Sequence, residues 1–241
     1  MKILNKIVLI PSRLQSERLP EKPLKLIGSK TMIEMVYEAA SRSVADKVII
    51  ATDSESISNE VQNFGGEVVM TNSDHSNGTE RIFEASQKMG LFDEDIVINL
   101  QGDEPFSDPK DMNNIFELLQ EENVEMVSMF TDLKNKSDLK NPNVVKVSIK
   151  DSVAQDFFRN ETSLDKKTWI HLGIYGFKLN TLKKIVKLPK SENEINRKLE
   201  QMRAMDNNIP IHMIRSEALV HLGIDTYEDL KLANKLIKND K

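Results

Sequence analysis

The chain contains no cysteine. That excludes disulfides, thiol nucleophiles and thiolate-ligated metals, and it fits a reducing, cytoplasmic setting. It has no excess of positive charge either: 33 Lys and Arg stand against 38 Asp and Glu, for a net charge of −5. A surface that tracks a phosphate backbone needs surplus cations, so the balance argues against general nucleic-acid binding. No window approaches the roughly 20 apolar residues of a membrane span. The opening Met1-Lys2-Ile3-Leu4-Asn5-Lys6 lacks the apolar stretch and cleavage site of a signal peptide, so a cytoplasmic protein with no membrane partner is expected. Gly-x-Gly-x-x-Gly and P-loop motifs are missing. So are internal repeats and low-complexity linkers.

What is present is 241 residues in which apolar runs alternate with amphipathic ones. Ile7 to Ile10, Val48 to Ala51, Val68 to Met70 and Ile96 to Leu100 read as strands, the first ended by Pro11. Between them, Thr31 to Ser43, a segment opened by Asp53-Ser54-Glu55, and Gly78 to Met89 read as helices. Another helix starts at Pro109 and runs to about Glu122. This rhythm predicts a mostly parallel sheet with helices on both faces. After about Val124 the pattern changes: Met126 to Phe130, Val144 to Ile149, Ala154 to Phe158 and His171 to Phe177 look like strands with few helices between them. A sub-lobe or sheet extension at about 124–190 within one domain spanning 1–241 is expected. Helices return at Thr181 to Lys187, Glu192 to Met205 and Thr226 to Lys238, the second with Ile195, Leu199, Met202 and Met205 as its buried stripe.

The chemistry-bearing segments lie between these elements. Ile96 to Leu100 leads into Gln101-Gly102-Asp103-Glu104-Pro105, which places two acids beyond the carboxyl end of a buried strand. Ligands of open α/β sheets bind there, and carboxylates at that place are candidates for holding a metal against phosphates; a polar turn is the plain alternative. The loop from Pro11 to Pro23 carries Arg13, Arg18 and Lys22 at spacings of five and four. Those cations suit a triphosphate held by side chains, although a solvated loop diluted by Glu17 and Glu21 reads equally well. Asn77-Gly78-Thr79-Glu80-Arg81 opens a helix, where Asn77 can cap and exposed N–H groups can receive a base or phosphate. His171 and Tyr175 share one side of a strand across Gly173, and Glu200, Gln201 and Arg203 flank a helical stripe. Asp225-Thr226 followed by Glu228-Asp229 looks like a helix cap with an acidic first turn.

In order, these segments resemble the 3-deoxy-manno-octulosonate (Kdo) cytidylyltransferases, also called CMP-Kdo synthetases. The resemblance rests on Ile10 to Arg13, Arg18 to Pro23, Asp74-His75 with Gly78 to Arg81, Gln101 to Pro105, Asn141 to Val147, His171 to Gly176, Leu199 to Arg203 and Gly223 to Thr226. It implies an α/β, Rossmann-like nucleotidyltransferase fold with a smaller inserted β-rich lobe that binds sugar or pairs subunits, the family being typically dimeric. It implies attack by the anomeric hydroxyl of the sugar acid on the α-phosphate of CTP, with Mg²⁺ held by Asp103 and Asp225. Arg13, Arg18 and Lys22 would balance the phosphates, with Arg13, Lys22, Asp103 and Asp225 as the catalytic set. Asn77, Gly78, Thr79, Arg81 and Gln101 would complete the nucleotide site. Arg159, His171, Tyr175, Glu200 and Gln201 would bind the sugar, with Arg159 facing its carboxylate.

Three departures stand out. Ser76-Asn77 replaces the family's usual Gln-Ser, Phe157-Phe158-Arg159 replaces Phe-Ser-Arg, and the stretch between Arg159 and His171 is short. The last two fall by the expected sugar site. Kdo, 8-amino-Kdo or a sialic-acid relative would fit the same mechanism, and a non-catalytic nucleotide binder is the alternative from another class. Against the latter, a pure binder needs neither Asp103 nor Asp225.

Overall fold

A computed structural model describes residues 4–133, 136–159 and 168–239. The first three residues and most of the shortened Arg159-to-His171 stretch lie outside the described residues.

The elements follow in order as β1 (Lys6–Ser12), the two-residue strands β2 (Leu26–Ile27) and β3 (Lys30–Thr31), α1 (Met32–Ser41), β4 (Lys47–Thr52) and α2 (Glu55–Asn63). Then come β5 (Glu67–Met70), α3 (Gly78–Lys88), β6 (Ile96–Asn99), α4 (Pro109–Leu118) and β7 (Met126–Thr131). The remainder is β8 (Lys146–Lys150), β9 (Val153–Phe158), β10 (Thr168–Lys178), α5 (Leu179–Lys187), α6 (Glu192–Arg197), α7 (Met202–Asp206), β11 (His212–Arg215) and α8 (Tyr227–Asn239). Asn77 caps its helix as expected, and Thr31, Ser54 and Asp108 likewise each accept a hydrogen bond from a first-turn N–H.

The main sheet runs β5-β4-β1-β6-β10-β7-β11-β9-β8. Its first four strands are parallel; β1, β4 and β6 are buried on both faces, and the edge strand β5 only partly. Ile7 and Leu9 of β1 point into a core shared with Ile82 and Ala85 of α3 and Leu182 and Ile185 of α5. Val8 and Ile10 point to the opposite core, with Ile33 and Val36 of α1, Ile57 and Val61 of α2 and Ile115 and Phe116 of α4. Uncharged apolar runs are what a strand covered on both sides requires. Pro11 does not end β1 as expected; it pairs in register with Ala51. The Leu9 carbonyl faces β6, where it accepts from Leu100, and β6 pairing stops there. Pro11 faces the same side beyond that point, so its missing N–H has no bond to lose.

From β10 onward the sheet becomes mixed and curls. β10 pairs with β7 on one side and with both β6 and β8 on the other. Since β7 continues through β11 and β9 back to β8, five strands form a closed ring continuous with the main sheet. β10 carries an irregularity between Leu172 and Tyr175, which pair with the adjacent residues Met129 and Ser128.

The helix expected over Glu192 to Met205 is two helices. Lys198 adopts a left-handed conformation (φ 54°) and ends α6. Leu199 to Gln201 bridge to α7, and Ile195, expected in the buried stripe, is exposed. Leu199 and Met202 do pack inward. The break directs residues 199–201 toward the carboxyl ends of the central strands.

Candidate active site

Two cavities open at the carboxyl end of β6. The first, about 940 Å³, is walled by the Pro11-to-Pro23 loop, the start of α3, Gln101 to Asp103 and Asp225. The second, about 650 Å³, is walled by β10, by Lys198 to Gln201 and by Glu104, Arg159, His221 and Gly223. Gln101 lines both.

Arg13, Arg18 and Lys22 all line the first cavity. The Lys22 ammonium donates to Asp103 at 2.6 Å and to Asp225 at 2.9 Å, and Arg18 reaches the other oxygen of Asp225 at 2.9 Å. Acids 122 positions apart in the chain thus converge on one cation. Burial works against the charge on Lys22, but the two carboxylates outweigh it and hold its pKa above the usual lysine value. Burial would raise Asp225, yet Lys22 and Arg18 pull it below the usual carboxylate range. Beside them, Glu104 is pushed up to about 8, first by burial and then by Asp103 and Asp225, against Lys22. It is mostly protonated at neutral pH.

The expected base-binding residues divide. Gly78 and Asn77 line the first cavity, with the Asn77 side-chain oxygen capping α3 through the Glu80 N–H at 2.8 Å. Arg81 lines it too, but its guanidinium is buried and bound to Thr71 at 2.6 Å and Asp53 at 3.0 Å. It braces α3 against the ends of β4 and β5. Thr79 lines neither cavity. Helix geometry turns it toward the sheet, where it accepts from Asn99 at 3.4 Å and donates to Glu200. Gln101 Nε2 in turn donates to Asn99 Oδ1 at 3.3 Å. A hydrogen-bonded chain Gln101–Asn99–Thr79–Glu200 therefore runs between the cavities.

His171, Tyr175, Glu200 and Gln201 line the second cavity together. Burial pushes His171 down to about 3, so the ring is neutral, and burial together with Glu200 raises Tyr175. Burial also raises Glu200, against the Thr79 hydrogen bond and Arg203. The buried Gln201 Nε2 has no hydrogen-bond partner among the described residues. Arg159 lines the cavity, but it donates to the carbonyls of Pro142, Arg197 and Lys198. It buttresses the wall, and among the described residues one N–H on each terminal nitrogen meets no acceptor.

Several neighbours carry weight that the sequence reading did not assign. Lys146, fully buried, donates to the carbonyls of Asn141, Val144 and Arg159. Arg203 forms a buried two-pronged ion pair with Glu194 at 2.6 and 2.7 Å that locks α7 to α6. Ser12 lines the first cavity with a buried hydroxyl lacking a hydrogen-bond partner among the described residues. Asn99 and Ser128 each sit as the lone strongly polar residue in an apolar strand core, a signal legible in the sequence, since a buried polar group needs a partner.

A cytidylyltransferase family model matches residues 7–213. Curated 3-deoxy-manno-octulosonate cytidylyltransferases align over nearly the whole chain. One from Haemophilus influenzae (strain PittEE) is 36% identical, covering 97% of this chain and 98% of its own length. One from Fusobacterium nucleatum is 38% identical, covering 96% of both. The chain belongs to the 3-deoxy-manno-octulosonate cytidylyltransferase family. A solved CMP:2-keto-3-deoxy-manno-octonic acid synthetase complexed with CTP superposes with a TM-score of 0.90 at 31% identity, over 98% of this chain and 100% of that one. The cytidylyltransferase fold reaches further: a Bacillus anthracis protein described as a putative glucose-1-phosphate thymidylyltransferase shares it at a TM-score of 0.70 and 15% identity. Among the described residues of this cytidylyltransferase, no helix is long and apolar enough to cross a membrane.

Proposed function

We propose that the protein transfers CMP from CTP to the anomeric hydroxyl of Kdo. The hydroxyl oxygen bonds to the α-phosphorus as its proton passes to solvent, the bond from that phosphorus to the β-phosphate bridging oxygen breaks, and pyrophosphate leaves. The observation that carries this reading is the pair of cavities meeting at Gln101, with the Lys22–Asp103–Asp225 cluster on the wall of the first. CTP occupies the first cavity and the sugar acid the second.

Each group has a physical task. Arg13, Arg18 and Lys22 offset the charge that accumulates as pyrophosphate departs. Gln101, with its Nε2 committed to Asn99, turns Oε1 to the exocyclic amine of cytosine, an acceptor for a donor that uracil does not offer. Asp103 and Asp225 suit a hard divalent cation: both are oxygen donors and both already meet one positive charge. Among the described residues no cluster of three or more His, Asp or Glu could hold a metal. Two protein carboxylates with substrate phosphate and water is a usual arrangement for Mg²⁺, which we assign here. Bound there, Mg²⁺ would neutralise the attacked phosphate and make a coordinated hydroxyl more acidic. His171, Tyr175, Glu200 and Gln201 hold the sugar, and the spare N–H groups of Arg159 meet its carboxylate. A cytoplasmic reaction feeding surface-polysaccharide synthesis follows from this substrate.

The test is pyrophosphate release from CTP and Mg²⁺ with Kdo, 8-amino-Kdo or N-acetylneuraminate offered separately. Release with Kdo, lost in Asp103→Asn, is expected. Release only with another acid would replace the substrate and keep the mechanism. CTP binding without release would favour a nucleotide binder.

A further inference from the structure

Ser128 lies wholly buried in β7, behind the second cavity and outside its lining. Its hydroxyl stands 2.9 Å from the Ile174 carbonyl oxygen, 3.3 Å from the Leu172 carbonyl oxygen and 2.9 Å from His171 Nε2. The carbonyls bracket the β10 irregularity, where two residues are unmatched in the ladder. The geometry therefore gives one hydroxyl three neighbours and one proton to share.

A carbonyl oxygen can only accept. At 2.9 Å from Ile174 O, the Ser128 oxygen must direct its proton there, or two lone pairs would face each other at contact distance. The Ser128 oxygen then has only lone pairs for the imidazole, so His171 Nε2 must be the donor. His171 is neutral in its buried setting. A neutral imidazole carries one N–H, and with that proton on Nε2 the other nitrogen, Nδ1, has a bare lone pair. The ring is held from the sides by Phe157, at 4.8 Å between centroids in an edge-on arrangement, and by Tyr175 at 5.4 Å.

We propose that Ser128 is a positioning residue that locks His171 in the Nε2–H tautomer, so that the second cavity reads a substrate hydroxyl through an Nδ1 acceptor. This rests on the assignment of that cavity to the sugar acid. It makes His171 a hydroxyl reader and denies it any part in binding the carboxylate, because a bare lone pair repels an anion. It also gives the β10 irregularity a purpose: the carbonyls of Leu172 and of the unmatched Ile174 fix the direction of the serine proton.

The test has one arm that needs no substrate. In ¹⁵N-histidine-labelled protein, long-range ¹H–¹⁵N spectra should show His171 with a pyridine-type Nδ1 and a pyrrole-type Nε2 at neutral pH. Ser128→Ala should lose that fixed pattern, and Ser128→Thr, which keeps the hydroxyl, should restore it. In steady-state kinetics Ser128→Ala should raise KM for the sugar about tenfold, the loss of one hydrogen bond, with KM for CTP unchanged. An Nδ1–H ring in the wild type would overturn the proposal even if Ser128→Ala does not fold. So would equal sugar KM values for wild type and Ser128→Ala. Wild-type protein that turns over none of the sugar acids would instead remove the reading of the cavity, while the tautomer result would stand on its own.

Discussion

The Lys22 ammonium sits 2.6 Å from Asp103 and 2.9 Å from Asp225, so a lysine assigned to phosphate and two acids assigned to metal share one point in space. A divalent cation and this ammonium compete for the same oxygens. Lys22→Met should therefore bind free Mn²⁺ more tightly, by roughly tenfold if a charge-assisted hydrogen bond is what the metal must displace. The same variant should lose about 10²-fold or more in kcat/KM, because the leaving phosphates lose a counter-charge. Mn²⁺ titration followed by electron paramagnetic resonance checks the first effect. Unchanged Mn²⁺ affinity would show that the ion pair does not gate the metal.

Gln101 is oriented by Asn99. Gln101→Leu should raise KM for CTP about tenfold and narrow the preference for CTP over UTP, since a site built to accept from an amine rejects a base lacking it. Competition kinetics with the two nucleotides measure both. A variant with unaltered discrimination would move base reading elsewhere in the first cavity.

Two glycines of β10 should respond in opposite ways to alanine. A Cβ on Gly176 would lie 2.2 Å from Ile115 Cγ2 and 2.7 Å from Leu119 Cδ1 of the packed α4 region. Gly176→Ala should cost about 1–3 kcal/mol of stability or more through overpacking. A Cβ on Gly173 would meet only Gln101 Cγ, at 3.9 Å. Gly173→Ala should fold as well as the wild type but intrude where the cavities meet, so that activity falls and the denaturant midpoint holds.

Acid should expose His171. Its folded pKa of about 3 lies below its unfolded value of about 6.5. The unfolded chain therefore binds more protons between those values, and stability falls as pH drops below 6.5, by up to about 1.4 kcal/mol per pH unit. Glu104 has the opposite sign: its folded pKa of about 8 lies above the ordinary 4.5. Its contribution is full at low pH and is lost as pH rises toward 8. The wild-type curve sums both effects. Urea unfolding of His171→Phe should therefore show a stability difference from wild type that changes in favour of the variant as pH falls from 7 to 4.5. Glu104→Gln should diverge from wild type only above about pH 4.5. Parallel curves for wild type and His171→Phe would contradict the neutral buried ring.

How far the sequence carried the reading depended on whether the deciding physics was local. The β1, β4 and β6 runs and the cap at Asn77 are local features, and all appear where periodicity and capping chemistry put them. The break at Lys198 was not legible: Ile195, Leu199 and Met202 keep helical spacing on paper, and only a left-handed residue between them reveals that the stripe is split. Placement on a motif also says nothing about which way a side chain turns. Arg81 and Thr79 stand in the expected segment, yet one is taken up by Asp53 and Thr71 and the other by Asn99. Those partners lie 10 to 28 positions away along the chain.

The Ile224 N–H donates to the Asp103 carbonyl at 2.9 Å, and Ile224 is buried with Leu19, Ile27, Met32 and Ala233 in a small separate core. That contact ties the last segment of the chain to the middle of its sheet, one residue before Asp225. Asp225 follows β11 in sequence, so the second acid cannot reach the first until every strand of the sheet has been made. A chain cut between β11 and Ile224 would keep its strands without ever becoming an enzyme, so that activity reports the arrival of a segment the sheet does not need.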